Sequence, residues 1–248
     1  MPMLLAVDTS TAVASVALFD GVVQAEHTWR AGQNHTAQLL PNVQSLLAET
    51  GVRAADLTAV GVALGPGSFN GLRVGLATAK MLGFSLGIPL VGVNTLEITA
   101  YQHREAGTLI RPVYDAGRGQ IATSLYSTAG RELREVEPPR IAELREVMTR
   151  VTDATLFCGE IKESWAEEIL KQGGPLAAVA SPAGSLRRAG YLAELAWSRC
   201  QAGQVADPAT LQPLYLRRPS VLEKPPNLES RLTIPGLGPL ATSLGPRA

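Results

Sequence analysis

The sequence predicts an α/β fold in which one β-β-β-α-β-α unit is used twice, the second copy degenerate. Three observations carry this. Two apolar strands, Leu4 to Val7 and Ile110 to Tyr114, each deliver an aspartate (Asp8, Asp115) into a tight turn from which a second strand returns. Strand-like and helix-like periods alternate in the same order after each aspartate. An apolar strand, a glycine loop and a helix follow one another through Ala63-Leu64-Gly65-Pro66-Gly67-Ser68-Phe69-Asn70-Gly71-Leu72-Arg73-Val74-Gly75, a junction typical of α/β proteins.

In order, Leu4 to Val7 is a short buried strand that ends at Asp8-Thr9-Ser10-Thr11. Ser15 to Phe19 alternates, Asp20-Gly21 turns, and Val22 to Trp29 returns as a hairpin. After Asn34-His35-Thr36, the apolar set Leu39, Leu40, Val43, Leu46 and Leu47 marks one helical face that closes at Gly51. Pro41 inside it predicts a kink or a late start. A strand at Ala59–Leu64 then enters the glycine loop. A helix leaves it from Gly71 to Leu86, capped by Ser68 or Asn70. A strand at Leu90–Val93 and a helix from Thr95 to about Glu105 complete the first unit.

The second unit repeats the opening with Ile110–Tyr114, Asp115 and the alternating run Ile121–Tyr126, which turns at Gly130. A charged, proline-broken linker is predicted over Gly130–Arg140, a helix over Ile141–Arg150, a strand over Thr155–Cys158, and helices over Trp165–Lys171 and Ser185–Cys200. The boundaries expected are 1–106 for the first domain and 107–206 for the second. Residues 207–218 are expected to pack back on the first domain. Residues 219–248 form a tail with Pro219, Pro225, Pro226, Pro235, Pro239 and Pro246 and no sustained period.

Charge narrows the function. Lys plus Arg and Asp plus Glu number 22 each among 248 residues, so there is no broad basic field to hold nucleic acid unaided. With aromatics at 5%, a free-standing RNA-binding module is disfavoured. Met1-Pro2-Met3-Leu4 reaches Asp8 too soon for a secretory signal, and no run approaches a membrane span. Cys158 and Cys200 lack any metal-type spacing and read as reduced core thiols. The expectation is a cytoplasmic protein with no membrane partner.

Two readings of the glycine loop stay open. Bare amides of Gly65, Gly67 and Ser68 at a helix N-terminus suit a phosphate. An ordinary tight turn uses the same residues. It is not a P-loop, because no Gly-Lys-Ser/Thr follows. The helix beyond raises a second question. Gly71, Gly75, Ala79 and Gly83 make a stripe of minimal side chains, flanked by Leu72, Leu76 and Leu86. Glycine costs up to about 1 kcal/mol against alanine inside a helix, so something must approach closely there. Either the helix's own sheet or a partner's helix fits. If a partner does, leucine at Gly75 or Ala79 should abolish pairing and leave the monomer folded.

Paired Asp-tipped units describe the actin-like ATPase (ASKHA, ribonuclease H-like) superfamily. Within it, several words stand in a specific order: Ala6-Val7-Asp8-Thr9-Ser10, Asn34-His35-Thr36, Leu40-Pro41, Gly65-Pro66-Gly67-Ser68-Phe69, Gly71-Leu72-Arg73-Val74-Gly75, Gly87-Ile88-Pro89-Leu90, Val93-Asn94-Thr95-Leu96-Glu97 and Pro213-Leu214-Tyr215-Leu216-Arg217. Together they closely resemble the bacterial tRNA threonylcarbamoyladenosine biosynthesis family TsaB, or YeaZ, over about residues 3–218. The resemblance implies a scaffold rather than an enzyme. It would pair with a TsaD-like catalytic subunit and a TsaE-like ATPase, meet tRNA only through that complex, and form a homodimer when alone. It also implies a pairing face on the helices near residues 36–49 and 71–86, which assigns Leu39, Leu40, Val43, Leu46, Gly71, Leu72, Gly75, Leu76, Ala79 and Gly83 to partner contact.

Departures from the relatives refine this. TsaD-like proteins carry two metal-binding histidines in a His-Met-Glu-Gly-His setting, and the matching stretch here is Thr95-Leu96-Glu97-Ile98-Thr99. Threonine is a poor ligand for iron or zinc, so no metal of its own and no catalytic residue is expected. His103, His27 and His35 are isolated, and His103 is expected at the surface. Asn70 replaces a threonine, and Asp115-Ala116-Gly117-Arg118-Gly119-Gln120 softens the family's Asp-Ala-Arg-Arg-Gly-Glu. The cofactor expectation is none of its own. A nucleotide, ATP or ADP with magnesium, at a subunit interface stays open through Asp8, Thr9, Ser10, Gly65, Gly67, Ser68 and Asp115. The alternative is a small-molecule kinase or acyl-phosphate transferase of the same fold.

Overall fold

The computed structural model describes residues 2–129 and 132–217. The proline-rich tail and the Gly130 turn lie outside the described residues. Two five-stranded sheets share one strand order. The first comprises β1 (Leu4–Asp8), β2 (Val13–Phe19), β3 (Val23–Arg30), β4 (Ala59–Ala63) and β5 (Leu90–Val93), arranged β3-β2-β1-β4-β5. The second comprises β6 (Leu109–Gly117), β7 (Gln120–Ala129), β8 (Glu132–Glu143), β9 (Thr155–Gly159) and β10 (Ala177–Val179), arranged β8-β7-β6-β9-β10. In each, the first three strands run antiparallel and the last two join in parallel, so the duplication is real at the level of hydrogen bonding.

Local chemistry explains the elements. β1 and β4 are buried along their whole length, as parallel strands covered on both faces must be. Edge strand β3 is half exposed. Helix α1 (His35–Thr50) ends at Gly51 with φ +68°. It starts at His35 and runs on through Pro41, so there is no late start; Pro41 and Ala37, the residue one turn before it, are both exposed. Helix α2 (Phe69–Leu86) is capped by Ser68, whose Oγ accepts from the Gly71 amide at 3.3 Å, while Asn70 lies inside the helix.

The second half departs from expectation where prolines and charges misled. The segment read as linker is most of β8, an edge strand, and Pro138 and Pro139 sit at its bulge between the pairings Leu125↔Glu137 and Thr123↔Arg140. The helix expected over Ile141–Arg150 shrinks to α4 (Leu144–Met148), because the strand continues to Glu143. Strand β10 is an addition to the expected elements; three residues carry too little periodicity to read.

Helices tie the halves together by exchange. From α3 (Thr95–Gln102), Leu96 and Ala100 pack against Ile110, Tyr114, Ala122 and Tyr126 of the second sheet. In return α6 (Ala189–Gln201) lays Ala189, Leu192, Ala193 and Ala196 on Leu4, Ala6, Ala17, Ala59 and Ala63 of the first. The 106/107 boundary thus separates the sheets but not the helices, and the chain through Leu216 clusters as one compact unit. The last described segment returns to the first half. Ala206 bridges to Leu90, the Leu214 amide donates to the Leu64 carbonyl at 2.7 Å, and the Tyr215 and Phe69 rings lie 5.4 Å apart.

Candidate functional site

The two loops offered as a phosphate cradle are folded onto each other. Asp8 is buried, and its Oδ1 accepts from the Ser10 amide at 2.9 Å and from Ser10 Oγ at 2.6 Å. The Ser10 carbonyl accepts from the Ser68 amide at 2.6 Å. Thr9 Oγ1 donates to the Gly71 carbonyl at 2.8 Å. Gly65, at φ +107°, exchanges two bonds with Thr95: its amide donates to Thr95 Oγ1 at 3.1 Å and its carbonyl accepts from the Thr95 amide at 2.8 Å. The amides of Gly65 and Ser68 therefore have partners inside the chain.

This arrangement answers the question of the small-residue stripe. A Cβ on Gly67 would overlap the Ser10 carbonyl oxygen, one on Gly71 the Thr9 carbonyl oxygen, and one on Gly75 Thr9 Oγ1. A Cβ on Gly83 would meet Leu90 Cδ2 at 3.0 Å. The close neighbour is the helix's own sheet and the Asp8 turn. The assignment of these positions to a partner is corrected accordingly: Gly71, Leu72, Gly75, Leu76, Ala79 and Gly83 are buried in the chain, as are Leu39, Val43 and Leu46. Leucine at Gly75 would test folding, not pairing.

The two aspartates do not converge on a shared ligand. Asp8 Oδ2 receives Nε of Arg187 at 2.5 Å, a pair with side chains only 1% and 3% exposed. Asp115 instead sits in the open, 2.7 Å from Lys162 Nζ, with its Oδ1 accepting from the Gly117 amide at 2.8 Å. The hydrogen bond from Lys162 holds the Asp115 carboxyl below its ordinary range. A cleft of about 710 Å³ is lined by Asp115 and Lys162 and by Val13, Arg30, Glu160 and Arg187 among others, while Asp8 lies behind Arg187. Arg187 was invisible in the sequence, one of two arginines at the start of an expected helix.

The two threonines at the metal-ligand positions are buried and occupied. Thr95 Oγ1 takes the Gly65 amide, and Thr99 Oγ1 lies 2.5 Å from the Tyr114 hydroxyl. Among the described residues, no three His, Cys, Asp or Glu side chains are grouped to share a metal ion. His35 is buried, with Nε2 2.7 Å from the Thr11 carbonyl. His103 is half-buried rather than on the surface, and burial pushes its pKa down.

What α1 and α2 do present outward along their middle is largely apolar, with the half-buried Lys80 of α2 its one charge there. Of the residues assigned to partner contact only Leu40 is exposed, at 42%. On α2, Met81 is exposed at 47% and Phe84 at 64%, with Ala77 one turn before Met81 also exposed. Their spacing, i, i+4 and i+7, marks one helix face opposite the glycine stripe. The same i, i+4, i+7 spacing of Ala77, Met81 and Phe84 stands in the sequence.

Two sheets of one strand order, each opening on an Asp-tipped hairpin and exchanging helices across a cleft, define the duplicated actin-like, ribonuclease H-like class. Comparison with known proteins narrows this. The family model described as TsaD, tRNA N6-adenosine threonylcarbamoyltransferase, matches residues 15–173. The tRNA threonylcarbamoyladenosine biosynthesis protein TsaB of Bacillus subtilis is 35% identical over 69% of this chain and 78% of its own length. The Escherichia coli protein of that name is 31% identical over 66% and 74%. YeaZ from Pseudomonas aeruginosa superposes with TM-score 0.74 at 28% identity, covering 87% of this chain and all of that one. The chain belongs to the TsaB (YeaZ) family.

Proposed function

We propose that this chain is a non-catalytic, cytoplasmic subunit of the assembly that transfers a threonylcarbamoyl group to the adenosine 3′ of the anticodon, and that it acts by docking a TsaD-like catalytic paralogue, with a TsaE-like ATPase and tRNA joining through the complex. Family membership supports the pathway, since the relatives carry threonylcarbamoyladenosine biosynthesis in their names. The single observation behind the docking role is the outward face of α1 and α2, where the large apolar side chains Leu40, Met81 and Phe84 stand exposed. Large apolar groups grouped on a surface are the usual mark of an interface. The scaffold reading is further supported by Thr95 and Thr99, whose hydroxyls are spent inside the chain. Among the described residues no helix is long and apolar enough to cross a membrane.

The test is Phe84→Glu. Phe84 is 64% exposed, which for a side chain of about 200 Å² leaves roughly 130 Å² to be covered by a partner. At about 25 cal/mol per Å² that is worth roughly 3 kcal/mol, or about 150-fold in Kd. Phe84→Glu should leave the melting temperature unchanged, prevent self-association in light scattering, and abolish co-purification with the TsaD-like subunit. A complex that survives the substitution intact would place the interface elsewhere.

A further inference from the structure

Arg187 is the most completely engaged side chain in the cleft, and its bonds run to both halves. Nε donates to Asp8 Oδ2 at 2.5 Å, and Nη2 lies 3.4 Å from Asp8 Oδ1, on the tip of β1 in the first sheet. Nη2 also donates to Thr11 Oγ1 and to the Val13 carbonyl, both at 3.1 Å, at the start of β2. Nη1 donates at 3.1 Å to the Tyr114 hydroxyl on β6 of the second sheet. Glu160, at the end of β9, accepts a hydrogen bond from Thr11 and lies 3.9 Å from Arg187 Nη1. Tyr114 closes the ring onto Thr99 of α3.

The residues that follow dock beside it. Arg188 donates to Glu26 Oε2 at 2.7 Å, the Ala189 amide to Ser15 Oγ at 2.9 Å, and the Gly190 amide to Glu26 Oε1 at 3.1 Å. Ser15 and Glu26, on β2 and β3, thus satisfy amides that the first turn of α6 cannot pair internally. Four successive residues from the second half are fastened to the first sheet at the point where α6 crosses over.

A buried ion pair is a poor source of net stability, because desolvation offsets most of its attraction. Separating it is costly all the same, since each charge is left without a partner. Asp8 fixes Arg187 to the first sheet, and Arg187 Nη1 carries the 3.1 Å bond across to the Tyr114 hydroxyl of the second, so a motion that opens the cleft must break that bond and uncover the pair. We propose that Arg187 is a latch that holds the two sheets at one angle, so that the cleft keeps a single aperture with no ligand bound. The consequence is a rigid body that presents its α1–α2 face in one orientation.

The test uses the isolated chain and stands apart from any partner. Spin labels at Gln24→Cys and Glu167→Cys, in a Cys200→Ser background, place one probe on each half at exposed positions. The parent should give one narrow distance distribution. Arg187→Met and Asp8→Asn should each broaden it, and exchange of the Ala189 and Gly190 amides should quicken at least about a hundredfold. Arg187→Lys keeps the charge without the fork, and it reads the same way where Arg187→Met does not fold. A narrow, unshifted distribution in a folded variant, with exchange unchanged, overturns the latch.

Discussion

Alanine at Gly71 should destabilise this protein although alanine is the better helix former. Propensity alone favours the change by about 1 kcal/mol. Against it, the new methyl would overlap the Thr9 carbonyl oxygen, a backbone atom of the Asp8 turn that cannot swing aside. Overpacking of that kind costs about 1–3 kcal/mol. The shift it forces also stretches the 2.8 Å bond from Thr9 Oγ1 to the Gly71 carbonyl. That bond is worth about 1 kcal/mol. The net expectation is a loss of about 1–3 kcal/mol. Gly83→Ala is the control. There the methyl meets Leu90 Cδ2 at 3.0 Å and the Ile88 carbonyl at 3.3 Å, and the first is a side-chain terminus that can yield by a few tenths of an ångström where backbone cannot. Propensity and crowding then nearly cancel, within about 1 kcal/mol. Urea denaturation followed by circular dichroism reads both, with unchanged slopes showing that only stability moved. The reasoning fails if Gly71→Ala matches the parent, or if Gly83→Ala is the worse of the two.

Glu137 accepts a forked pair of bonds, both 3.1 Å, from the 2%-exposed Arg111, whose hydrogen bonds hold the Glu137 carboxyl below its ordinary range. A depressed carboxyl contributes stability that is present above its unfolded value and lost as pH falls through the folded one. Glu137→Gln should therefore cost up to about 3 kcal/mol near pH 7, and the gap to the parent should close as the pH drops below about 4. A gap independent of pH would rule out the ion pair as its cause. For the cysteines, burial pushes the Cys158 thiol well up, while Cys200 is only half-buried. Ellman's reagent at pH 8 should titrate one thiol quickly and the second only on unfolding; two fast thiols would contradict the buried placement.

Much of the first half was legible because its signals are local and redundant. The β1 strand, the hairpin at Asp20-Gly21, helices α1 and α2 and the glycine junction each combine periodicity with a turn or cap residue. The second half was harder for identifiable reasons. Pro138 and Pro139 normally argue against a strand, and only the bulge on an edge strand accommodates them. The site was least legible. Asp8 announced itself by its position at a strand tip, but its partner Arg187 lies 179 residues away and carries no local mark. A small-residue stripe says that something comes close; it does not say what, and here the sheet and the Asp8 turn were the answer.

The same logic runs through the whole molecule. Several features that the sequence holds out to an external ligand are already met from inside. The Gly71 stripe is met by Thr9, the Gly65 amide by Thr95, Asp8 by Arg187 and Asp115 by Lys162. A ligand entering the cleft would have to displace a buried guanidinium before it reached Asp8, and that displacement carries the cost of stranding a charge. Leu40, Met81 and Phe84 face no such competition, because they already stand exposed. Covering them gains free energy with nothing to break first. On the docking role proposed above, physical economy favours α1 and α2 over the cleft as the binding surface. In a protein built this way, changes to the cleft should alter rigidity, and changes to the helix pair should alter company.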